Sequence, residues 1–155
     1  MPTNTSAIPS EVDVRGPRFA AWITTVVLAI VLLAAAAVDL RAATVLIGLQ
    51  ALVFAVGALG GPRRHPYGRL FAIVAPRLGP PTEREPVAPL RFAQLVGFVF
   101  ATIAFAGFAA GSPVLGIAAT ATALAAAFLN AAFGICLGCQ VYPLVARLRP
   151  APRAA

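Results

Sequence analysis

The sequence predicts an all-α membrane protein with four transmembrane helices arranged as two helical hairpins. Apolar residues make up 60% of the 155 positions and charged residues 11%, against about 25% charged residues in soluble domains. A chain this short has a large surface relative to its volume, and so few charges cannot cover that surface in water. The composition therefore excludes a soluble monomer. It also excludes a disordered chain, because disorder requires low hydrophobicity.

Four long apolar runs give the predicted spans. About 20 helical residues cross a hydrocarbon core of roughly 30 Å, and each run is at least that long. Asp39 and Arg41 interrupt the first pair of runs, and Gly111-Ser112-Pro113 carries turn chemistry between the second pair. The predicted spans cover residues 19–38, 42–61, 92–111 and 114–136.

The positions of the arginines predict how the spans are oriented. The chain has a net charge of +7, and all of its basic side chains except His65 are arginines. Arg41 alone lies between spans on one side, and the other eleven arginines lie on the opposite side. The positive-inside rule then predicts a bacterial plasma membrane protein with both termini in the cytoplasm. Arginines beside apolar runs indicate membrane topology, so the lipid bilayer is the predicted partner and nucleic acid is not.

The spans also divide the chain into domains and define a central loop. The predicted parts are a polar tail over 1–17, a four-helix transmembrane domain over 18–147 with a cytoplasmic loop over 62–91, and a short basic tail over 148–155.

The central loop contains an apolar stretch and a proline-rich stretch. Residues 67–74 are too short to span, and they predict either a short helix at the membrane interface or a loop packed on the bundle. Residues 79–89 predict an extended linker. His65 is expected to be a solvated loop residue. The expected interface anchors are Trp22, Tyr67 and Tyr142.

Two short segments hint at an internal repeat. Arg18-Phe19-Ala20 opens the first span and Arg91-Phe92-Ala93 opens the third, at an offset of 73 residues. Each segment precedes a predicted hairpin that starts on the cytoplasmic side. The segments indicate either a duplication or the arginine and aromatic residue that commonly begin a helix at the inner face.

Both cysteines lie in one motif, Cys136-Leu137-Gly138-Cys139, where the fourth predicted span ends. A CxxC pair can close a disulfide, and such motifs lower the thiol pKa. The sequence therefore predicts a thiol-redox or sulfur-relay site, with Cys139 as the attacking thiol and Cys136 as the resolving one. One consideration opposes thiolate formation, because the C-terminus of a helix carries the negative end of its dipole.

Other interpretations of the two cysteines stay open. They could pack the bundle as small apolar residues, or a dimer could offer four thiolates to zinc. Covalent haem attachment is excluded, since it needs CxxCH and residue 140 is Gln140. No cofactor or metal is predicted. If the protein is an enzyme, its predicted activity is thiol–disulfide exchange or sulfur transfer, although the sequence favours an accessory protein.

Two further function classes are consistent with the sequence. One is a structural or assembly protein, and the other is a channel or carrier for an uncharged or sulfur-containing solute. The predicted spans contain no Asp, Glu, Lys or Arg, which disfavours proton-coupled transport.

Several polar and small residues are expected to support the site or the packing of the helices. Gln50, Gln94 and Asn130 are expected to form hydrogen bonds between helices, with Asn130 also near the thiols. The residues expected to support the cysteines are Gly138, Asn130 and Tyr142. The GxxxG positions expected at helix contacts, which would also suit a homo-oligomer, are Gly57, Gly61, Gly107 and Gly111.

Three segments together resemble a known family. They are VDVRGPRFA at residues 12–20, PLRFAQ at 89–94 and ICLGCQVY at 135–142. They are similar to the bacterial integral membrane family labelled domain of unknown function 4395, over nearly the whole chain. The resemblance implies a membrane fold without an established activity. It also implies an association with genes for thioredoxin-like proteins and sulfurtransferases, and hence a soluble partner of that kind.

Overall fold

The computed structural model of the protein describes residues 11–148. Within them the elements are β1 (Glu11–Asp13), α1 (Arg15–Ala36), α2 (Leu40–Gly60), α3 (Pro66–Val74), a 3₁₀ turn (Ala75–Leu78), β2 (Arg84–Pro86), α4 (Val87–Ala109), α5 (Pro113–Phe133) and α6 (Leu137–Leu148). Predictions that concern residues 1–10 and 149–155, including most of both tails, lie outside the described residues.

Four of these helices are long and apolar enough to cross a membrane, namely α1, α2, α4 and α5. The predicted class, an all-α protein with four spans, is therefore confirmed. In the bundle α2 packs on α4 and α1 on α5, while each helix also contacts its own hairpin partner. The side chains at the centre are fully or almost fully buried, and they include Leu28, Val31, Ile47 and Phe108.

The chain is built from two halves, each with the order β-α-α-α. An offset of 73 residues relates the two halves. It separates β1 from β2, the last residue of α1 from that of α4, and both the first and the last residue of α2 from those of α5. Residues with positive φ recur at the same offset, since Val38 corresponds to Gly111 and Gly61 corresponds to Gly134. This agreement extends far beyond the two Arg-Phe-Ala segments, and it favours duplication over the simpler explanation.

The strands and two arginines join the halves symmetrically. β1 and β2 pair antiparallel, with Val12 opposite Glu85 at the centre of the register; these two residues occupy the same position in their halves. The Arg18 guanidinium donates to the carbonyls of Ala131 and Ala132 at the end of α5. The Arg91 guanidinium donates to Ala58 and Leu59 at the end of α2, at 2.9 Å each. Each arginine thus caps the last turn of a helix in the other half.

The central loop is more ordered than the sequence indicates. Residues 66–74 form α3, whose Phe71 is buried against α1 while Ile73 is 73% exposed. The proline-rich stretch is not a plain linker, because it contributes β2 to the two-stranded sheet. The Arg15 side chain also ties the loop to the start of α1, since it donates to the carbonyls of Leu78 and Gly79 and pairs with Asp13. This ion pair lowers the pKa of Asp13.

The four GxxxG glycines divide into two kinds. A Cβ on Gly107 would lie 2.7 Å from the backbone nitrogen of Gly116, so α4 and α5 are in close contact there. Gly57 is equally crowded, by the side chains of His65 and Gln94. The packing expectation is wrong for Gly111, which has φ +72° and open space around it. Gly61 likewise has a positive φ and only ordinary contacts, so both glycines serve the turns that end their helices.

Candidate functional site

The cysteine motif opens a helix rather than ending one. α5 stops at Phe133, and Gly134 follows it in the left-handed conformation (φ 70°). Residues 135 and 136 connect to α6, which begins at Leu137. The predicted fourth span, 114–136, is therefore three residues too long at its C-terminal end. The sequence alone did not show that Gly134 ends the helix, although glycine is the usual residue there.

Cys136 caps the N-terminus of α6. Its carbonyl accepts the backbone N–H of Gln140 at 3.1 Å, and its Sγ accepts the backbone N–H of Cys139 at 3.3 Å. The two cysteines are joined by a disulfide, with Cα atoms 5.2 Å apart. The sulfur of Cys136 thus lies at the positive end of a helix dipole, so the expected opposition from a helix C-terminus is wrong for this residue.

Arg18 offsets the negative end of α5 beside the motif. Its guanidinium donates to the last carbonyls of α5 at 3.4 Å, and it lies next to Gly134. Glu85 also faces Arg18, but burial is the larger effect there and raises the pKa of the Glu85 carboxyl. The cysteines therefore follow a helix end that is already capped by a cation.

α6 packs on the start of α4 through the residues around the cysteines. A Cβ on Gly138 would meet Ala93 at 2.7 Å, so only glycine permits this approach. The rings of Tyr142 and Phe92 lie 5.8 Å apart, as do the rings of Phe71 and Phe19 in the other half. Gly138 and Tyr142 thus position α6, and with it the cysteine pair.

Cys136 lines a cavity of about 410 Å³ between α1, α4 and α5. Asn130 and Gln94 line the same cavity, together with many alanines and Phe100. The structure therefore brings Asn130 to the cavity on which Cys136 also lies. Gln94 was assigned only to helix contacts from the sequence, and its place in this cavity could not be read from spacing.

A second polar cluster lies under the start of α3, in the first half. His65 is 3% exposed, so the expected solvated loop residue is in fact buried. Burial lowers the pKa of His65 to about 4. The Tyr67 hydroxyl donates to Gln50 Oε1 at 2.8 Å, which makes Gln50 a contact between α2 and α3. Tyr67 is thus a packed residue as well as a possible anchor, and its burial raises the pKa of its hydroxyl.

The two halves differ at corresponding places around these clusters. His65 corresponds to Gly138 and Phe54 corresponds to Ala127 at the offset of 73 residues. The cavity beside His65 is only about 30 Å³. The cavity of about 410 Å³ beside Cys136 is lined by Gly138 and Ala127, and also by Phe54 and by residues of α1 from the first half. The cysteine motif therefore lies beside the larger of these two cavities, which is bounded by residues of both halves.

Comparison with known proteins gives one result. Residues 12–147 match the family described as a domain of unknown function, DUF4395, which agrees with the resemblance found in the sequence. No curated protein and no solved structure matches the chain.

Proposed function

We propose a thiol function for this chain, which belongs to the DUF4395 family, a family described only as a domain of unknown function. In this proposal it is a multi-pass membrane accessory that exchanges disulfides, or relays sulfur, with a soluble partner through Cys136 and Cys139. The observation that carries the proposal is the position of Cys136 as the N-cap of α6. A helix N-terminus is one of the environments that lower a thiol pKa and supply thiolate near neutral pH.

In this proposal the two cysteines have opposite roles to those expected from the sequence. Cys136 is the attacking thiol, because the N–H of Cys139 points at its sulfur and the helix dipole favours its thiolate. Cys139 lies in the first turn of α6 and is the resolving thiol. The sequence favoured Cys139 because it was expected to be more exposed, but both side chains are half-buried.

The exchange needs no other group. The Cys136 thiolate attacks a disulfide of the partner, so that a mixed disulfide forms and one partner thiolate leaves and takes up a proton. Cys139 then loses its proton and attacks Cys136, which releases the second partner thiolate and closes the Cys136–Cys139 disulfide. The structure contains the pair in this last, oxidised form.

α6 holds the pair at the membrane surface. Leu137, Val141, Leu144 and Leu148 form an exposed apolar stripe along it, and an amphipathic helix of this kind lies in the interface plane. The partner that we propose is a soluble thioredoxin-like protein or sulfurtransferase. With the cytoplasmic orientation expected from the arginines, the resting pair is kept reduced and its disulfide is transient.

Single-cysteine variants test the exchange. Cys139→Ser keeps the attacking thiol and should trap a mixed disulfide with the partner, whereas Cys136→Ser should trap none. The Cys136→Ser/Cys139→Ser variant is the control, and it should form no mixed disulfide at all. If neither single variant traps a partner and both lower thermal stability, the cysteines only pack and the protein is structural.

A labelling experiment tests the orientation. Thr82 is exposed in the central loop, so Thr82→Cys in the Cys136→Ser/Cys139→Ser background reports the side on which that loop lies. The thiol should be shielded from an impermeant reagent in intact cells and react after lysis. Labelling in intact cells would reverse the orientation and exclude a cytoplasmic partner.

A further inference from the structure

We propose that the cavity beside Cys136 binds the ring of a membrane-dissolved quinone, which exchanges two electrons with the cysteine pair. This inference rests on the proposed thiol function and identifies its second reactant by chemical class. It starts from the volume of about 410 Å³, which falls within the usual range for small-molecule sites. The corresponding place in the first half is filled by side chains, so the symmetry of the fold does not require such a space.

The chemistry of the lining selects an uncharged ligand with one polar end. Among the described residues that line the cavity, none carries a charged side chain. Gln94 and Asn130 contribute two amide groups to the lining that they share with Cys136. The Gln94 side chain packs against Gly57 beside His65, and its buried Oε1 has no hydrogen-bond partner among residues 11–148. The rest of the lining is mostly apolar and includes Ala123, Gly97 and Phe100. The carbonyl oxygens of a quinone can accept hydrogen bonds from these amide groups, and an apolar tail can pack against the rest of the lining.

The opening of the cavity gives such a ligand a path from the bilayer. α4 and α5 touch at Gly107 and Gly116 and separate toward the cysteine end, where the cavity lies. Thr122 and Ala125 line the cavity and are also exposed at the surface of the bundle. Both lie within a predicted span, so this opening faces lipid rather than water. A ligand that enters here is one that dissolves in the membrane.

The redox step balances without another reactant. Two S–H bonds break at Cys136 and Cys139, and one S–S bond forms between them. The two electrons and two protons pass to the carbonyl oxygens of the quinone, which becomes a quinol. A quinol leaves by the same lateral opening. The soluble partner, in its dithiol form, then reduces the Cys136–Cys139 disulfide by the reverse of the exchange described above and is itself oxidised to a disulfide.

Binding can be measured apart from thiol chemistry. The probe is duroquinone, whose fully methylated ring cannot add a thiol, and the protein is the Cys136→Ser/Cys139→Ser variant in nanodiscs. Trp22, the single tryptophan, lies on α1 next to Ala21 of the lining and reports binding by quenching of its fluorescence. We expect saturable quenching. Ala127→Phe, which introduces the counterpart of Phe54, should weaken binding at least tenfold, and Ala121→Phe on the exposed face of α5 should not.

A second variant keeps the test decisive if Ala127→Phe fails to fold. Gln94→Leu removes the amide at similar volume and should weaken binding three- to tenfold, the loss expected for about one hydrogen bond. Quenching that never saturates, or that is equal in all variants, means that lipid chains alone occupy the cavity and overturns the inference.

The redox step is tested with the reduced wild-type protein under anaerobic conditions. One quinol should form for each cysteine pair that is oxidised. Saturable binding without thiol oxidation overturns the redox part of this inference, while the mixed disulfide trapped by Cys139→Ser would still support the proposed function. If quinone oxidises the cysteine pair but Cys139→Ser traps no partner, the redox step is supported and the proposed exchange with a soluble partner is overturned.

Discussion

The first and second halves of the molecule share a scaffold and differ in what fills it. Both run β-α-α-α, and in both an arginine at the start of the first helix caps a helix of the other half. His65 and Tyr67 lie under the short helix of the first half, where the cavity is only about 30 Å³, whereas a cavity of about 410 Å³ lies beside the cysteines. The shared features are those that hold the bundle together. Two of the residues that differ, His65 and Gly138, line these two cavities.

The contact between Gly107 and Gly116 also distinguishes the halves, and it predicts the largest effect. Gly107 meets Gly116 where the first half has Ala34 and Ala43. Gly107→Leu places a side chain against backbone that cannot yield, so we expect a loss of about 3 kcal/mol or more and little folded protein in detergent by size-exclusion chromatography. Ala106→Leu, on the exposed neighbouring position, is the control. Equal yields of folded protein from the two variants would mean that the packing of α4 on α5 does not depend on this contact.

The buried histidine in the first half should make the stability of the protein depend on pH. The pKa of His65 is about 4 in the folded protein and about 6.5 in an unfolded chain. As the pH falls, the unfolded state therefore binds a proton at a higher pH than the folded state does. The contribution of His65 to stability is fully present above pH 6.5 and is lost as the pH falls toward 4. We expect a loss of about 2 kcal/mol between pH 7 and pH 5, read as a lower melting temperature in nanodiscs.

His65→Leu isolates this contribution from that of other groups. The raised pKa of Glu85 acts in the opposite direction over part of the range, so the quantity to compare is the difference between wild type and variant. If both proteins lose the same stability from pH 7 to pH 5, His65 is not buried in its neutral form.

The smallest effect concerns the two corresponding hairpin turns. Val38 and Gly111 both have positive φ, 62° and 72°, and a β-branched residue is strained in such a conformation. Val38→Gly should gain about 1 kcal/mol and Gly111→Val should lose about 1–2 kcal/mol, measured as opposite shifts in melting temperature. Shifts of the same sign would show that the two turns are not equivalent.

The sequence predicted the number of spans because hydrophobic runs and breaks fix it, although α1 and α4 begin at Arg15 and Val87, before the predicted starts at residues 19 and 92. Asp39 and Gly111-Ser112-Pro113 mark the hairpin turns within one or two residues. The candidate site was harder, since the end of α5 depends on the left-handed conformation of one residue, Gly134, in an otherwise uncharged stretch. That single turn converts Cys136 from the last residue of a span into the cap of a new helix. The burial of His65 depends on tertiary contacts with Gly57 and Gln94, and no local pattern indicates it.

The measurement that tests the account most directly is the pH dependence of alkylation at each cysteine. Reduced Cys139→Ser in membranes reports Cys136, and Cys136→Ser reports Cys139. The account predicts that Cys136 reacts with a midpoint below the ordinary thiol pKa of about 8.5, and about 1 pKa unit below that of Cys139, because only Cys136 caps α6. A midpoint for Cys136 at or above 8.5, or above that of Cys139, would contradict the account.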